Sequence, residues 1–269
     1  KNVLTAQILE LLHQVLFNPL LDEDGFEKNT FEIEKKQLLA RLESELEDPF
    51  FSAHKELDQL FFQEESMQLV PRDLISRISE ETSKTSYSSF EKMLNEDRID
   101  LFFLGDFNEV EILENLKKFP LTGRKATVNI QYRQEYSNVL REGIIRKKLG
   151  QSILEMGYHS AIGYGDDQKM ALLLVNGLLG AFPHSKLFTQ VREKEGLAYT
   201  VSSHLDLFSG FLRLFAGINR QDRNRVRKLM NDQLFDVKNG RFTDAEINQT
   251  KEMIRRNMLL SQDNQDSID

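Results

Sequence analysis

The sequence predicts an α+β protein in which largely antiparallel sheets are covered by helices. In the first half, apolar residues recur at helical spacing along charged segments, so that half is expected to be mostly helical. In the second half, runs of alternating apolar and polar residues end at glycines, which is typical of antiparallel strands joined by turns. A chain of 269 residues has room for two domains. We expect them to cover residues 1–125 and 126–269.

The expected elements of the first half begin with a leucine-rich, well-buried helix over residues 3–17. A long charged helix over residues 27–47 follows it. Asp48 then provides an N-cap, and Pro49 occupies the first position of the next helix, where its missing N–H does least harm. The short apolar run at residues 99–103 is closed by a glycine turn and predicts a buried strand.

The second half is expected to begin with a polar linker at residues 121–138. Residues 139–163 predict two strands, and a tight turn at residues 209–210 leads into another strand over residues 211–218. A threonine followed three residues later by a glutamate, at residues 243–246, predicts a capping box that begins the last helix. The second half should therefore combine a sheet with covering helices.

Residues 185–199 carry the pattern on which the functional interpretation depends. Their apolar residues predict a helix, Gly196 suits the left-handed conformation that ends a helix, and a half-buried strand follows. This order places Arg192 near the end of the helix and Tyr199 near the start of the strand. The arginine fork and the tyrosine hydroxyl are then expected to converge on one point, where they suit a peptide carbonyl or a developing oxyanion.

The same two residues have a plainer interpretation, in which neither binds a ligand. Arg192 would be a surface charge paired with Glu193 or Glu195, since exposed ion pairs are common. Tyr199 would be a core residue, since tyrosine is enriched in strands. On the pattern alone, this plainer interpretation is favoured.

Composition excludes several classes of function. The formal charge of −8, without a basic cluster, argues against nucleic-acid binding and mildly favours basic peptides as ligands. The absence of cysteine excludes disulfides and thiolate metal sites and suits a reducing compartment, so the cytoplasm is the expected location. No apolar run approaches the roughly 20 residues needed to cross a bilayer, so no membrane span is expected.

The segment Arg-Glu-Lys-Glu-Gly-Leu-Ala-Tyr at residues 192–199, preceded by Ser-Lys-Leu-Phe, resembles a signature of the pitrilysin, insulinase and mitochondrial-processing-peptidase family. These are zinc peptidases with an inverted metal motif. The resemblance implies that Arg192 and Tyr199 bind peptide substrate, reaching into the active site from the domain that carries no metal. It also implies that the chain holds the C-terminal half of a first peptidase-like domain and an incomplete second one.

The zinc ligands of this family are not recognisable in the sequence. Active relatives use two histidines of a His-x-x-Glu-His motif and a glutamate on a later helix, whereas here His54 is followed by Lys-Glu-Leu-Asp. The resemblance places Arg41 where the ligand glutamate stands, and a guanidinium has no lone pair to give a metal. We therefore expect no catalytic residue, metal ligand or cofactor in this chain, and zinc only in the full-length protein or a partner.

Three functional hypotheses follow from the resemblance. In the first, the chain is an inactive subunit that binds peptide and supplies Arg192 and Tyr199 to a chamber shared with a homologous zinc-bearing subunit or a second copy. In the second, it belongs to an active zinc metalloendopeptidase whose metal motif lies upstream of Lys1. In the third, it is a structural partner subunit. The arginine at position 41 favours the first.

Overall fold

The computed structural model describes residues 2–121, 134–136, 139–147 and 150–261. The α-helices are α1 Asn2–Phe17, α2 Lys28–Glu47, α3 Pro49–Phe61, α4 Glu65–Gln68, α5 Pro71–Glu80, α6 Ser83–Glu96, α7 Glu109–Leu116, α8 Lys169–Asn176, α9 Arg223–Lys238 and α10 Asp244–Ser261. The strands are β1 Leu21–Asp22, β2 Gly25–Phe26, β3 Ser152–His159, β4 Ala198–Asp206 and β5 Phe211–Ile218. Two π-helical turns, Gly177–Ala181 and Phe188–Lys194, and a 3₁₀ turn, Arg220–Asp222, complete the elements.

The predicted α+β class with antiparallel sheets is confirmed. Strands β1 and β2 form a short antiparallel hairpin. The larger sheet has the strand order β3-β5-β4, and both of its pairings are antiparallel. None of the described helices is long and apolar enough to cross a bilayer.

The chain divides into two units that are not continuous in sequence. The first contains Lys1–Ser44 and Pro71–Ile130, and the second contains Glu45–Val70 and Gln131–Asp269. Helix α3 therefore belongs with the three-stranded sheet of the second unit. The expected domain boundary between residues 125 and 126 lies outside the described residues and stays a prediction, as does most of the expected linker.

Helix α1 is only partly buried, and the expectation of a well-buried helix over residues 3–17 is wrong. One face packs against α7, where Leu9 is buried and the rings of His13 and Phe17 meet that of Phe119. The opposite face exposes more than half of each of its large apolar side chains, Leu4, Ile8, Leu11 and Val15. An apolar stripe at helical spacing marks a face that can be buried, without saying how much of the helix is covered.

The strand predicted at residues 99–103 is absent from the described structure. These residues run without ladder partners among the described residues, and the side chain of Phe102 is 94% exposed. Residues 139–147 likewise form no strand, so the first of the two strands predicted within residues 139–163 is wrong and the second is β3. An apolar run becomes a strand only where another strand pairs with it, which local sequence does not specify.

The predicted helix starts are confirmed at both places where a cap was expected. The carboxylate of Asp48 accepts hydrogen bonds from the backbone N–H groups of Phe50 and Phe51 at 2.8 and 3.1 Å, and Pro49 follows it as the first helical residue. Thr243 and Glu246 exchange the two bonds of a capping box, at 2.7 and 3.2 Å. Short-range side-chain chemistry at a helix start is thus readable from sequence.

One face of the three-stranded sheet forms the main apolar core of the second unit. The central strand β5 alternates, so that Leu212, Leu214 and Ile218 face the helical layer. There they pack with buried residues of α9 and of the π-helical turn Phe188–Lys194, including Val226 and Val191. This face fixes the position of the turn that carries Arg192.

The other face of the sheet is covered by α3. Leu57 and Phe61 reach the sheet at Gly157, and the ring of Phe61 lies 4.3 Å from that of Phe211, measured between centroids. A Cβ atom on Gly157 would lie 2.7 Å from Phe211 Cε2 and 3.1 Å from Phe61 Cδ2. Glycine at this position therefore lets the helix approach the sheet closely.

We expect Gly157→Ala to lower the free energy of unfolding by about 1–3 kcal/mol, because the added methyl group overpacks the ring pair beneath α3. Urea denaturation of the purified chain measures the change. Gly165→Ala is the matched control, since a Cβ there meets no described atom within 4 Å. Equal stability of the two variants would contradict the close approach of α3.

Candidate functional site

The helix predicted within residues 185–199 is present, but its second part is π-helical. The backbone N–H of Glu195 donates to the carbonyl of Gln190 at 3.2 Å, which is an i→i+5 bond. Gly196 then adopts a φ of +61°, the left-handed conformation that its position predicted. π-helical turns are rare and often lie at functional sites, and they have no simple sequence pattern.

The burial pattern of this turn directs Arg192 outward. Leu187 and Val191 are fully buried beneath it, whereas Arg192 is exposed. The guanidinium carbon of Arg192 lies 4.6 Å from the centroid of the Phe188 ring, which restricts the side chain by a cation–π contact. Within the part of the chain that the structure describes, Arg192 forms no ion pair, and its neighbour Glu195 is bound by another arginine. The predicted surface pair with Glu195 is therefore wrong.

Tyr199 is also presented to solvent, so its alternative interpretation as a core residue is wrong. Its side chain is 60% exposed. Its hydroxyl donates a 2.9 Å hydrogen bond to Oδ1 of Asn219, just beyond the end of β5. Tyr199 lies at a register irregularity between Ala198 and Thr200, and such bulges re-aim side chains at the ends of strands.

An open depression lies at Asn219, the residue that accepts the hydrogen bond from Tyr199. It has a volume of about 600 Å³ and is lined by Asn219, Arg220 and Gln221. The structure therefore places Arg192 before the Gly196 corner and Tyr199 after it, each held by its own neighbour. No hydrogen bond joins the two side chains within the described residues, and their convergence on one ligand remains a prediction.

The start of the Arg192-bearing helix is fixed to α10 by a charged contact. The ammonium of Lys186 lies 2.8 Å from Oε1 of Glu246. Burial alone would raise the pKa of Glu246, but the hydrogen bonds from Lys186 and Thr243 outweigh it and lower the pKa. The carboxylate therefore stays ionised and paired, which holds the helix that presents Arg192.

A second charged cluster, which the sequence analysis missed, lies between α3 and the sheet. Arg213 of β5 is 8% exposed and binds two carboxylates, Asp58 Oδ1 at 2.6 Å and Glu155 Oε2 at 3.0 Å. Asp58 is also 3.4 Å from the ammonium of Lys55. Glu155 also contacts His54 Nδ1. We call Arg213, Asp58, Glu155 and His54 the interlayer cluster.

The interlayer cluster is a structural network, because each of its charged groups already has a charged partner. One feature of the sequence could have indicated the cluster: His54 and Asp58 are spaced one helical turn apart on α3, so they share a face. Glu155 and Arg213 also interrupt strands that are otherwise mostly apolar. Local pattern could not show that these side chains meet, because the paired residues lie 58 to 155 positions apart in sequence.

We expect Arg213→Met to lower the free energy of unfolding by about 3–5 kcal/mol, because it leaves two buried carboxylates without their shared cation. Arg241→Met is the control, since its pair with Asp236 is exposed and should contribute less than about 1 kcal/mol. Denaturant melts of both variants measure the difference. If Arg213→Met fails to fold, Arg213→Lys, which keeps the charge but loses the fork, should show an intermediate loss. A loss for Arg213→Lys no larger than that of the control would contradict this role.

The residues that the structure describes do not fit a zinc site. Arg41 is exposed on α2 and lines a cavity of about 520 Å³ together with Glu34 and Lys35, and these three residues supply one carboxylate and two cations there. Lys35 donates hydrogen bonds to the backbone carbonyls of Ser79 and Glu81, at 2.9 and 2.8 Å. Its ammonium group is a cation and cannot act as a metal ligand there. Among the described residues, no group of three histidine, aspartate or glutamate side chains is placed to hold a metal ion.

Comparison with known proteins gives a consistent result. Residues 82–254 match the family model described as "Peptidase M16 inactive domain". The chain is 29% identical over 252 residues to "Probable inactive metalloprotease YmfF" of Bacillus subtilis (strain 168), covering 93% of this chain and 59% of that protein. It is 28% identical over 118 residues to "Uncharacterized zinc protease YmxG" of the same organism, covering 43% of this chain and 29% of that protein.

The fold is shared with a solved structure. A crystal structure of a conserved protein from Enterococcus faecalis V583 has a TM-score of 0.93 and 38% identity to this chain. The match covers 98% of this chain and 62% of that one. The chain thus spans less than two thirds of the length of either YmfF or the Enterococcus protein.

Proposed function

This chain belongs to the peptidase M16 family, and on that premise we propose that it binds peptides without hydrolysing them unaided. It is a homologue of inactive metalloproteases of this family. Arg192 and Tyr199 would hold the peptide backbone. The chamber into which they project would be completed by a homologous zinc-bearing subunit or by a second copy of the chain.

The observation that carries this proposal is the exposure of two hydrogen-bond donors on a buried, rigid support. Arg192 is restrained by Phe188, and the Tyr199 hydroxyl is positioned by its bond to Asn219, which a peptide carbonyl would replace as the acceptor of its single proton. A scaffold subunit has no need for a π-helical turn and a strand irregularity beside each other at the surface. A peptide carbonyl is a suitable acceptor for both groups.

Lack of hydrolysis by the chain itself follows from side-chain chemistry. The family's glutamate ligand is replaced by Arg41 in the register of the resemblance, and arginine cannot bind zinc. No described cluster of acidic residues and histidines substitutes for it. The absence of cysteine suits the cytoplasm, which we propose as the location.

We expect Arg192→Ala to weaken peptide binding by roughly ten- to a hundredfold, since a charge-assisted hydrogen bond contributes about 1.5–3 kcal/mol. Tyr199→Phe should weaken it less, because only one neutral donor is lost. Fluorescence anisotropy with labelled decapeptides of mixed composition measures both affinities.

Arg255→Ala provides the control for these binding measurements, because that arginine is a similarly exposed cation on α10. All three variants should unfold at nearly the wild-type denaturant concentration, because the replaced side chains are exposed. Unchanged binding by both Arg192→Ala and Tyr199→Phe would remove the proposed role and favour a purely structural subunit.

A second candidate is an active zinc endopeptidase, which the similarity to the zinc protease YmxG favours. The two candidates differ in zinc content. We expect the product of the whole gene to contain far less than one equivalent of zinc after incubation with the metal and desalting, because Arg41 stands where the resemblance places the ligand glutamate. Inductively coupled plasma mass spectrometry measures the ratio. Stoichiometric zinc that survives Arg192→Ala would favour the endopeptidase.

A further inference from the structure

We propose that the peptide site selects acidic segments, whose carboxylates bind Arg220 and the cations beside it. The inference rests on the proposed function and names the class of peptide that the same site accepts. It reverses the mild preference for basic peptides that the net charge of the chain suggests. The reason is that the charge near Tyr199 differs in sign from the charge of the rest of the chain.

Basic residues are concentrated in two short segments, residues 192–195 and 219–228. Together they contain seven lysines and arginines and three carboxylates, in a chain of net charge −8. The two segments therefore carry +4, which leaves −12 for the remainder. The expectation that the chain has no basic cluster is wrong, because residues 219–228 alone contain five cations and one carboxylate and carry +4, whereas residues 192–195 are neutral overall.

The fold brings these two segments side by side. Strand pairing sets Ala198 opposite Ile218, so the Gly196 corner lies next to the start of the second segment. Arg225 Nη2 lies 2.5 Å from Glu195 Oε2, which joins α9 to the end of the π-helical turn. The hydrogen bond from Tyr199 to Asn219 makes a second connection.

Several cations of this surface are available to a ligand. Arg192, Lys194, Arg220 and Arg223 are exposed and form no ion pair with the described residues. We call these four residues the basic corner. Two carboxylates in the same segments, those of Glu193 and Asp222, also lack a cationic partner among the described residues. The four cations of the basic corner therefore exceed these two carboxylates of the same segments by two charges.

Helix stability does not explain the placement of these arginines. The first turn of α9 contains Arg223 and Arg225 and no acidic residue, although the positive end of the helix macrodipole lies there. The preceding Asp222 makes no side-chain cap to the helix. The guanidinium groups and the positive end of the helix macrodipole repel each other. An anionic ligand would reduce this repulsion, because it would bind both the guanidinium groups and the helix N-terminus.

The depression at Asn219 supplies the place for such a group. Arg220 lines it together with two amide side chains, Asn219 and Gln221, and Asn219 is the residue that holds Tyr199. A peptide held by Tyr199 therefore passes next to Arg220, whose planar fork suits a carboxylate. The −12 carried by the rest of the chain repels a long polyanion more than a short acidic peptide, which disfavours nucleic acid.

The experiment compares a labelled decapeptide containing three glutamates with its glutamine counterpart, each with a free and an amidated C-terminus. We expect the glutamate peptide to bind wild-type protein at least roughly fivefold more tightly at low salt, and the difference to shrink as salt is added. Arg220→Gln should reduce this preference severalfold. Arg255→Gln, which removes the same charge from α10, should leave it unchanged.

The outcomes separate this inference from the proposed function. Equal binding of both peptides, with Arg192→Ala still weakening it, overturns the acidic preference and leaves peptide binding intact. No binding of any peptide overturns both. Tighter binding of a single-stranded oligonucleotide of equal charge overturns the inference in favour of nucleic acid. The preference for the glutamate peptide should survive amidation, because the C-terminus is the same in both peptides. Equal binding of the two peptides that is lost on amidation would assign the terminal carboxylate and overturn the role of side-chain carboxylates.

Discussion

A single guanidinium group, buried between a helix and a sheet, is the interaction on which the second unit depends. Arg213 joins Asp58 of α3 to Glu155 of β3 while itself lying on β5, so one side chain ties together three elements. Burying a guanidinium group is unfavourable unless carboxylates or other acceptors pair with it, and here two carboxylates do so. The main effect of the cluster is therefore to fix the position of α3 on the sheet. Its net contribution to stability is the smaller effect.

That constraint reaches the surface through the sheet. Strand β5, which carries Arg213, pairs along its length with β4, which carries Tyr199 near its start. The opposite face of the same sheet supports the π-helical turn that presents Arg192. The two exposed donors are thus supported by the apolar core on one face of the sheet and by the ion pairs of Arg213 on the other face. A site built this way would keep the proposed peptide-binding groups in a family member whose described residues hold no metal ligand set.

Local chemistry was readable from the sequence, and pairing over long distances was not. The caps at Asp48 and Thr243 and the left-handed Gly196 were predicted correctly, because each depends on residues within one turn. The strand expected at residues 99–103 failed because strand formation needs a partner that local pattern does not reveal. The role of Arg213 was missed for the same reason, since its carboxylate partners are distant in sequence.

We propose that peptides bind at the corner formed by the π-helical turn and the start of β4. Photo-cross-linking with decapeptides that carry a benzophenone at each position in turn, followed by mass spectrometry, tests it directly. We expect cross-links to be concentrated within residues 188–199 and 219–221 and to be competed away by unlabelled peptide. Competable cross-links concentrated on the exposed apolar face of α1, with none at the corner, would contradict it.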